Sequence, residues 1–119
     1  MFPGDVHWLI QRYVKPILEQ ECQRLNVDPC KIKAVKGCYP KPFEYSAYLG
    51  IYPDEFSPNR TYEIRIGTDL DNVGDCVRAF LHELRHLKFC EENKRHSELK
   101  CHLYSWKRYF QLLFSGELR

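Results

Sequence analysis

The sequence predicts an α+β fold: an N-terminal helix, a small, mainly antiparallel sheet of about three strands, and two C-terminal helices. Apolar residues recur every three or four positions in both end regions, as is typical of amphipathic helices. Between residues 45 and 66 they instead alternate with polar residues, as in half-buried strands. Prolines, glycines and Asp or Asn residues separate these segments. A chain of 119 residues is large enough for one core, so we expect a single domain over residues 1–119.

The first helix is predicted from about Gly4 to Asn26, where apolar residues follow helical spacing. Pro16 lies inside it and should kink the helix or divide it in two, because proline has no amide proton. Residues 32–36 are a weaker strand candidate. Residues 45–52 and 61–66 alternate more regularly and predict two further strands.

Two helices are predicted after the strands. Asp71 or Asn72 is a good N-cap for the first of them, which should end near Cys90. Asn93 is the expected N-cap of the second, which should run to about Phe114. The second helix carries an apolar stripe that we expect to pack against the helix before it: Leu99, Leu103, Trp106, Phe110, Leu113 and Phe114.

The first of these two helices contains an H-E-x-x-H pattern, which spans His82 to His86. Residues four apart lie about one turn apart on one helix face, so His82 and His86 can offer two imidazoles to one metal ion. Glu83 projects from the edge of that face, where it can take a proton from a metal-bound water. The apolar residues of the helix cluster on the opposite side, which leaves the histidine face free for a site.

A catalytic zinc site usually has three protein ligands and an open position for water. Glu98 is the predicted third ligand, because it lies in the first turns of the last helix, beside the apolar stripe. His102 lies one turn further on the same side and is the second choice; its other role would be a neutral, hydrogen-bonded histidine at the helix interface. His96 lies about 160° round the helix from Glu98, which makes it a poorer partner.

His82-Glu83-Leu84-Arg85-His86 together with Glu98 resembles the gluzincin metallopeptidases, and the order of elements is similar to that of the minimal soluble minigluzincins. The resemblance implies that zinc (Zn²⁺) is bound by His82, His86 and Glu98, with Glu83 as general base. It also implies an endopeptidase that cleaves a peptide or an unfolded protein, with residues 61–66 as the strand that pairs with the substrate. Such domains can be latent zymogens; here the tail after Phe114 or the segment from Pro3 to Asn26 would block the cleft.

Two further residues are candidates for supporting roles. Many larger gluzincins have an Asp four residues after the ligand Glu, and His102 stands at that position in this chain. The oxyanion of the reaction also needs a stabilising group, for which Tyr109, His96 and Tyr104 are candidates. Only Tyr109 lies on the Glu98 face of its helix, so it is preferred.

The net charge and the lengths of the apolar runs bear on whether the protein binds nucleic acid or a membrane. With 18 basic and 16 acidic residues, the net charge of +2 gives no electrostatic signal for nucleic acid. No apolar run approaches the length that spans a membrane, and the N-terminus lacks the pattern of a signal peptide. We therefore expect a cytoplasmic protein that binds neither nucleic acid nor membrane.

Two other functions stay open. In one, the chain is a non-enzymatic interaction or regulatory domain with a closed structural zinc, held by His82, His86 and two of three cysteines: Cys76, Cys90 and Cys101. In the other, the H-E-x-x-H match is accidental, the six cysteines pair and no zinc is bound. The cysteines could equally be small buried apolar residues, and no C-x-x-C pair supports the usual zinc-ribbon spacing.

Overall fold

The computed structural model describes residues 3–38, 47–67 and 72–118. Within these ranges the chain forms a helical N-terminal segment, a three-stranded sheet and two long helices, which confirms the predicted α+β fold. The elements are α1 (Pro3–Leu9), α2 (Leu18–Arg24), β1 (Ile32–Cys38), β2 (Ala47–Tyr52), β3 (Thr61–Gly67), α3 (Val73–Glu91) and α4 (Glu98–Ser115).

The N-terminal helical segment is divided at Pro16, as predicted. A π-helical turn (Ile10–Val14) and a 3₁₀ turn (Lys15–Ile17) connect α1 to α2. Pro16 lies within the 3₁₀ turn, where it cannot donate the hydrogen bond that would continue an α-helix. The apolar residues on the inner face of this segment are buried in the core.

The sheet has the strand order β1-β3-β2. The central strand β3 is antiparallel to β2 but parallel to β1, so the sheet is mixed and the expectation of a mainly antiparallel sheet holds for only one of the two pairings. Strand β3 lies between β1 and β2 and runs in the same direction as β1, so β2 is left at the far edge of the sheet. The first two residues of the predicted strand 45–52 lie outside the described ranges.

The core lies between one face of the sheet and the apolar face of α3. Tyr62, Ile64 and Ile66 alternate along β3 and are fully buried, and so are Phe80 and Leu84 of α3. Four cysteines are also buried without forming disulfides: Cys22, Cys76, Cys90 and Cys101. Cys22 and Cys76 belong to the apolar core, where a thiol behaves as a small hydrophobic group.

The residues that cap α3 and α4 differ in part from those predicted. Asn72 caps α3 as predicted, since the amide of Asp75 donates to its Oδ1 at 2.9 Å; the alternative cap, Asp71, lies outside the described residues. Asn93 adopts a left-handed conformation with φ 54° and terminates α3, so its predicted role as the cap of α4 is wrong. Ser97 caps α4 instead and accepts a hydrogen bond from the amide of Lys100 at 3.2 Å.

Helix α4 packs on α3 through a different face from the predicted apolar stripe. Its buried residues are Cys101, Ser105, Arg108 and Leu112, whereas the stripe is largely exposed, with Leu99 67% and Phe114 86% accessible. Arg108 forms a two-pronged ion pair with the fully buried Glu21 of α2, with N–O distances of 2.6 and 2.7 Å. A buried charge needs its partner, so this pair keeps Arg108 and its face of α4 turned toward α2.

Candidate metal centre

Two histidines of α3 and one carboxylate of α4 meet at the open side of the helix pair. Nε2 of His82 lies 3.0 Å from Oε2 of Glu98, and Nε2 of His86 lies 2.8 Å from Oε1. The apolar face of α3 anchors this arrangement, because Leu84 and its apolar neighbours are fully buried on the other side of the helix. The structure therefore brings together the three residues that the sequence indicated as metal ligands.

Each histidine contacts a different oxygen of the Glu98 carboxylate, at the distance of a hydrogen bond. Ligand atoms around a tetrahedral zinc lie roughly 3.3–3.6 Å apart, given zinc–ligand bonds of about 2.0–2.2 Å, so both contacts are shorter than those of a metal-loaded site. Burial lowers the pKa of His86, although nearby Glu98 partly offsets this effect. A neutral imidazole is the form that binds a metal. Glu98 is exposed; the little hydration that its carboxyl loses raises its pKa, but His86 and His82 outweigh this effect and the net pKa falls, so the carboxylate is ionised.

Cys101 is a second candidate for a ligand position beside the two histidines. One nitrogen of His82, one of His86 and the sulfur of Cys101 all lie within 4.8 Å of one another. Cys101 is fully buried on α4, and burial together with the charge of Glu98 raises the pKa of its thiol to about 12. Glu98 and the other cysteines considered as ligands, Cys76 and Cys90, are not members of this group.

Glu83 lies at the base of the same cleft and is buried. Burial and the negative charge of Glu98 raise the pKa of its carboxyl to about 7. A carboxyl with a pKa near neutrality exchanges protons readily at physiological pH, which is the requirement for a general base.

His96 is a site residue that sequence reasoning set aside. Because α4 begins only at Glu98, His96 lies in the loop before it and folds back over α3. Its Nδ1 is 2.9 Å from Nδ1 of His86, and its Nε2 is 3.3 Å from Sγ of Cys90. With Nε2 of His86 turned to a metal, its Nδ1–H can donate to His96, and such a contact fixes the orientation of a ligand imidazole. The signal was Ser97, a favourable N-cap residue directly before Glu98, which the assumed cap at Asn93 concealed.

A cleft of about 290 Å³ opens above these residues. One wall is the edge strand β2, and the other carries the two histidines, Glu83, His96 and Glu98; the β2 residues are Ala47, Tyr48, Leu49 and Ile51. The strand predicted to pair with a substrate, β3, is the central strand and has a partner on each side. Its backbone groups are already hydrogen-bonded, so β2 is the strand at the cleft.

The two predicted supporting residues lie elsewhere. His102 is exposed on α4, and its carbonyl accepts a hydrogen bond from the Ser105 hydroxyl at 2.7 Å. Tyr109 packs at the start of α3: its hydroxyl oxygen lies 2.9 Å from where a Cβ on Gly74 would stand. Neither residue is among those that line the cleft in the described part of the chain.

Comparison of this chain with protein-family models, with curated proteins and with solved structures gave no match. The likeness to gluzincins therefore depends on the six motif positions and on the order of the elements. Among residues 3–38, 47–67 and 72–118, no helix combines the length and the apolar character needed to cross a membrane.

Proposed function

We propose that this chain is a zinc-dependent endopeptidase of the gluzincin type. One observation carries the proposal: the Glu98 carboxylate lies within 3.0 Å of both His82 and His86, at the mouth of a cleft that also holds a buried Glu83. Two imidazoles and one carboxylate from two helices are the donor set of a catalytic zinc site with one position left for water.

The residues of the cleft divide the work of peptide hydrolysis. When bound, zinc supplies Lewis acidity, which polarises the scissile carbonyl and lowers the pKa of the attacking water to about 7. Glu83 takes the proton of that water as it attacks and gives it to the leaving amine. His96 holds the ring of His86 in place through the 2.9 Å contact between their Nδ1 atoms.

The substrate is an extended peptide that pairs with the outer edge of β2. Among the described residues β2 pairs only with β3, so its other edge can accept a further strand. Ala47, Leu49 and Ile51 of this strand line the cleft. A volume of about 290 Å³ is small for a binding site, so we expect room for one or two side chains and weak sequence specificity.

The test combines metal content with cleavage of unfolded casein. We expect about one zinc per wild-type chain, little zinc in Glu98→Ala, and normal zinc but no cleavage in Glu83→Gln. Glu92→Ala is the matched control, because Glu92 is also a carboxylate but stands at the C-terminal end of α3 and pairs with Lys94 at 3.1 Å rather than with a histidine. Zinc-dependent cleavage that survives Glu83→Gln would refute the proposed mechanism.

A closed structural zinc site is the second candidate function, and the position of Cys101 favours it. Of the three cysteines considered, Cys101 alone is grouped with His82 and His86 among the described residues. This alternative predicts that Cys101→Ala loses the metal and that Glu83→Gln has no measurable effect. Casein cleavage by the zinc-loaded protein, abolished by Glu83→Gln, would exclude it.

A further inference from the structure

We propose that Cys101 is a fourth ligand of the same zinc ion and competes with the attacking water, so that the folded chain restrains its own activity. This inference rests on the proposed peptidase function and names the regulation of that site. The geometry supporting it is the mutual distance of at most 4.8 Å between the Cys101 sulfur and one nitrogen each of His82 and His86.

The position of Cys101 on α4 makes it suited to this role. It lies three residues after Glu98, so the two side chains share one face of the helix. Cys101 is fully buried where α4 packs against α3, whereas the Glu98 side chain, 78% accessible, lies at the exposed edge of that face. Cys101 is also not among the residues that line the cleft, so its sulfur reaches the site from the interior while the substrate enters from the open side.

The coordination number of zinc explains why a fourth protein ligand would exclude the attacking water. Zinc is four-coordinate in closed sites, and a catalytic site keeps one of its four positions for water. Two histidines, Glu98 and Cys101 fill all four positions. The zinc–sulfur bond forms as the thiol releases its proton to solvent. For water to bind, that bond breaks and the thiolate takes a proton back.

The segments first considered for latency do not occupy the cleft. Its lining includes no residue from positions 3–26 or 115–118 in the part of the chain that the structure describes. Leu118 of the tail instead belongs to the buried apolar cluster. Restraint by a ligand inside the site therefore agrees better with the fold than a terminal segment across the cleft.

The test uses cobalt(II) in place of zinc, because a cobalt–thiolate bond gives a charge-transfer absorption band in the near ultraviolet. We expect this band in the wild-type protein and its loss in Cys101→Ala, with one cobalt still bound to each chain. Cys22→Ala is the matched control, since Cys22 is also fully buried but lies on α2, in the apolar core of the protein. It should keep the band.

The zinc forms of the same proteins give the second readout. Cys101→Ala should cleave casein at least about tenfold faster than the wild type, because the thiolate no longer competes with the attacking water. A tenfold change in rate corresponds to about 1.4 kcal/mol of competing ligation. Cys22→Ala should cleave at the wild-type rate. If Cys101→Ala does not fold, Cys101→Ser takes its place in both measurements.

The outcomes separate this proposal from the proposed function. A wild-type protein that binds one cobalt without the band, and cleaves casein in its zinc form, overturns the role of Cys101 and leaves the peptidase intact. Loss of the metal in Cys101→Ala without any cleavage overturns both in favour of a structural site. A wild-type protein that binds no metal overturns the proposed function itself.

Discussion

The buried carboxyl of Glu83 predicts an unusual pH dependence for the metal-free protein. Its pKa is raised from 4.5 to about 7, with burial as the main cause. Between these two values the folded chain holds a proton that the unfolded chain has released, so stability falls as pH rises. The pKa difference corresponds to at most about 3 kcal/mol of unfolding free energy. That stability is present below about pH 4.5 and lost by about pH 7.

Glu83→Gln removes this titration without removing the side-chain volume. In urea denaturation with a chelator present, the variant should match the wild type near pH 4.5 and exceed it by up to about 3 kcal/mol above pH 7. Comparing the two proteins cancels the titration of all other groups. Bound zinc should shrink the difference, because a nearby cation favours the ionised carboxylate.

The control for this experiment is Glu92→Gln. Lys94 lowers the pKa of the half-buried Glu92 side chain through a hydrogen bond, so its removal should not raise stability at neutral pH. Parallel curves for Glu83→Gln and the wild type over the whole pH range would refute the reasoning. They would show that the Glu83 carboxyl titrates alike in the folded and unfolded chains.

Three further predictions concern the residues that hold the helices and the ligand histidine in position. Arg108→Met should lower the free energy of unfolding by about 3–5 kcal/mol in urea denaturation, because it leaves a fully buried carboxylate unpaired; a loss under about 1 kcal/mol would contradict this. His96→Ala should weaken zinc binding about 10–100-fold in a competition titration, and an unchanged affinity would show that His96 does not orient a ligand. Leu84→Ala should destabilise by about 2–5 kcal/mol, whereas Leu103→Ala, at a position 58% exposed, should change stability by less than about 0.5 kcal/mol. Equal losses would mean that α4 packs through the stripe predicted from sequence.

Local pattern was sufficient for the order of elements and for much of the candidate site. Helical spacing and strand alternation are properties of neighbouring residues, so α3, β3 and the break at Pro16 could be predicted from the sequence. The H-E-x-x-H spacing places two imidazoles on one helix face whatever the rest of the fold does. The third ligand could then be sought among carboxylates early in the following helix, and the structure does bring Glu98 to both histidines.

Contacts between distant residues decided what sequence pattern could not. The inward face of α4 carries Arg108, which pairs with Glu21, 87 residues earlier, and this is not the face that carries the apolar stripe. Strand order, which makes β2 rather than β3 the edge at the cleft, follows from how the whole sheet assembles. The approach of His96 to His86 and of Cys101 to both histidines arises from the loop and packing that join α3 to α4. Residue periodicity records only the neighbours along the chain, whereas these features depend on tertiary packing.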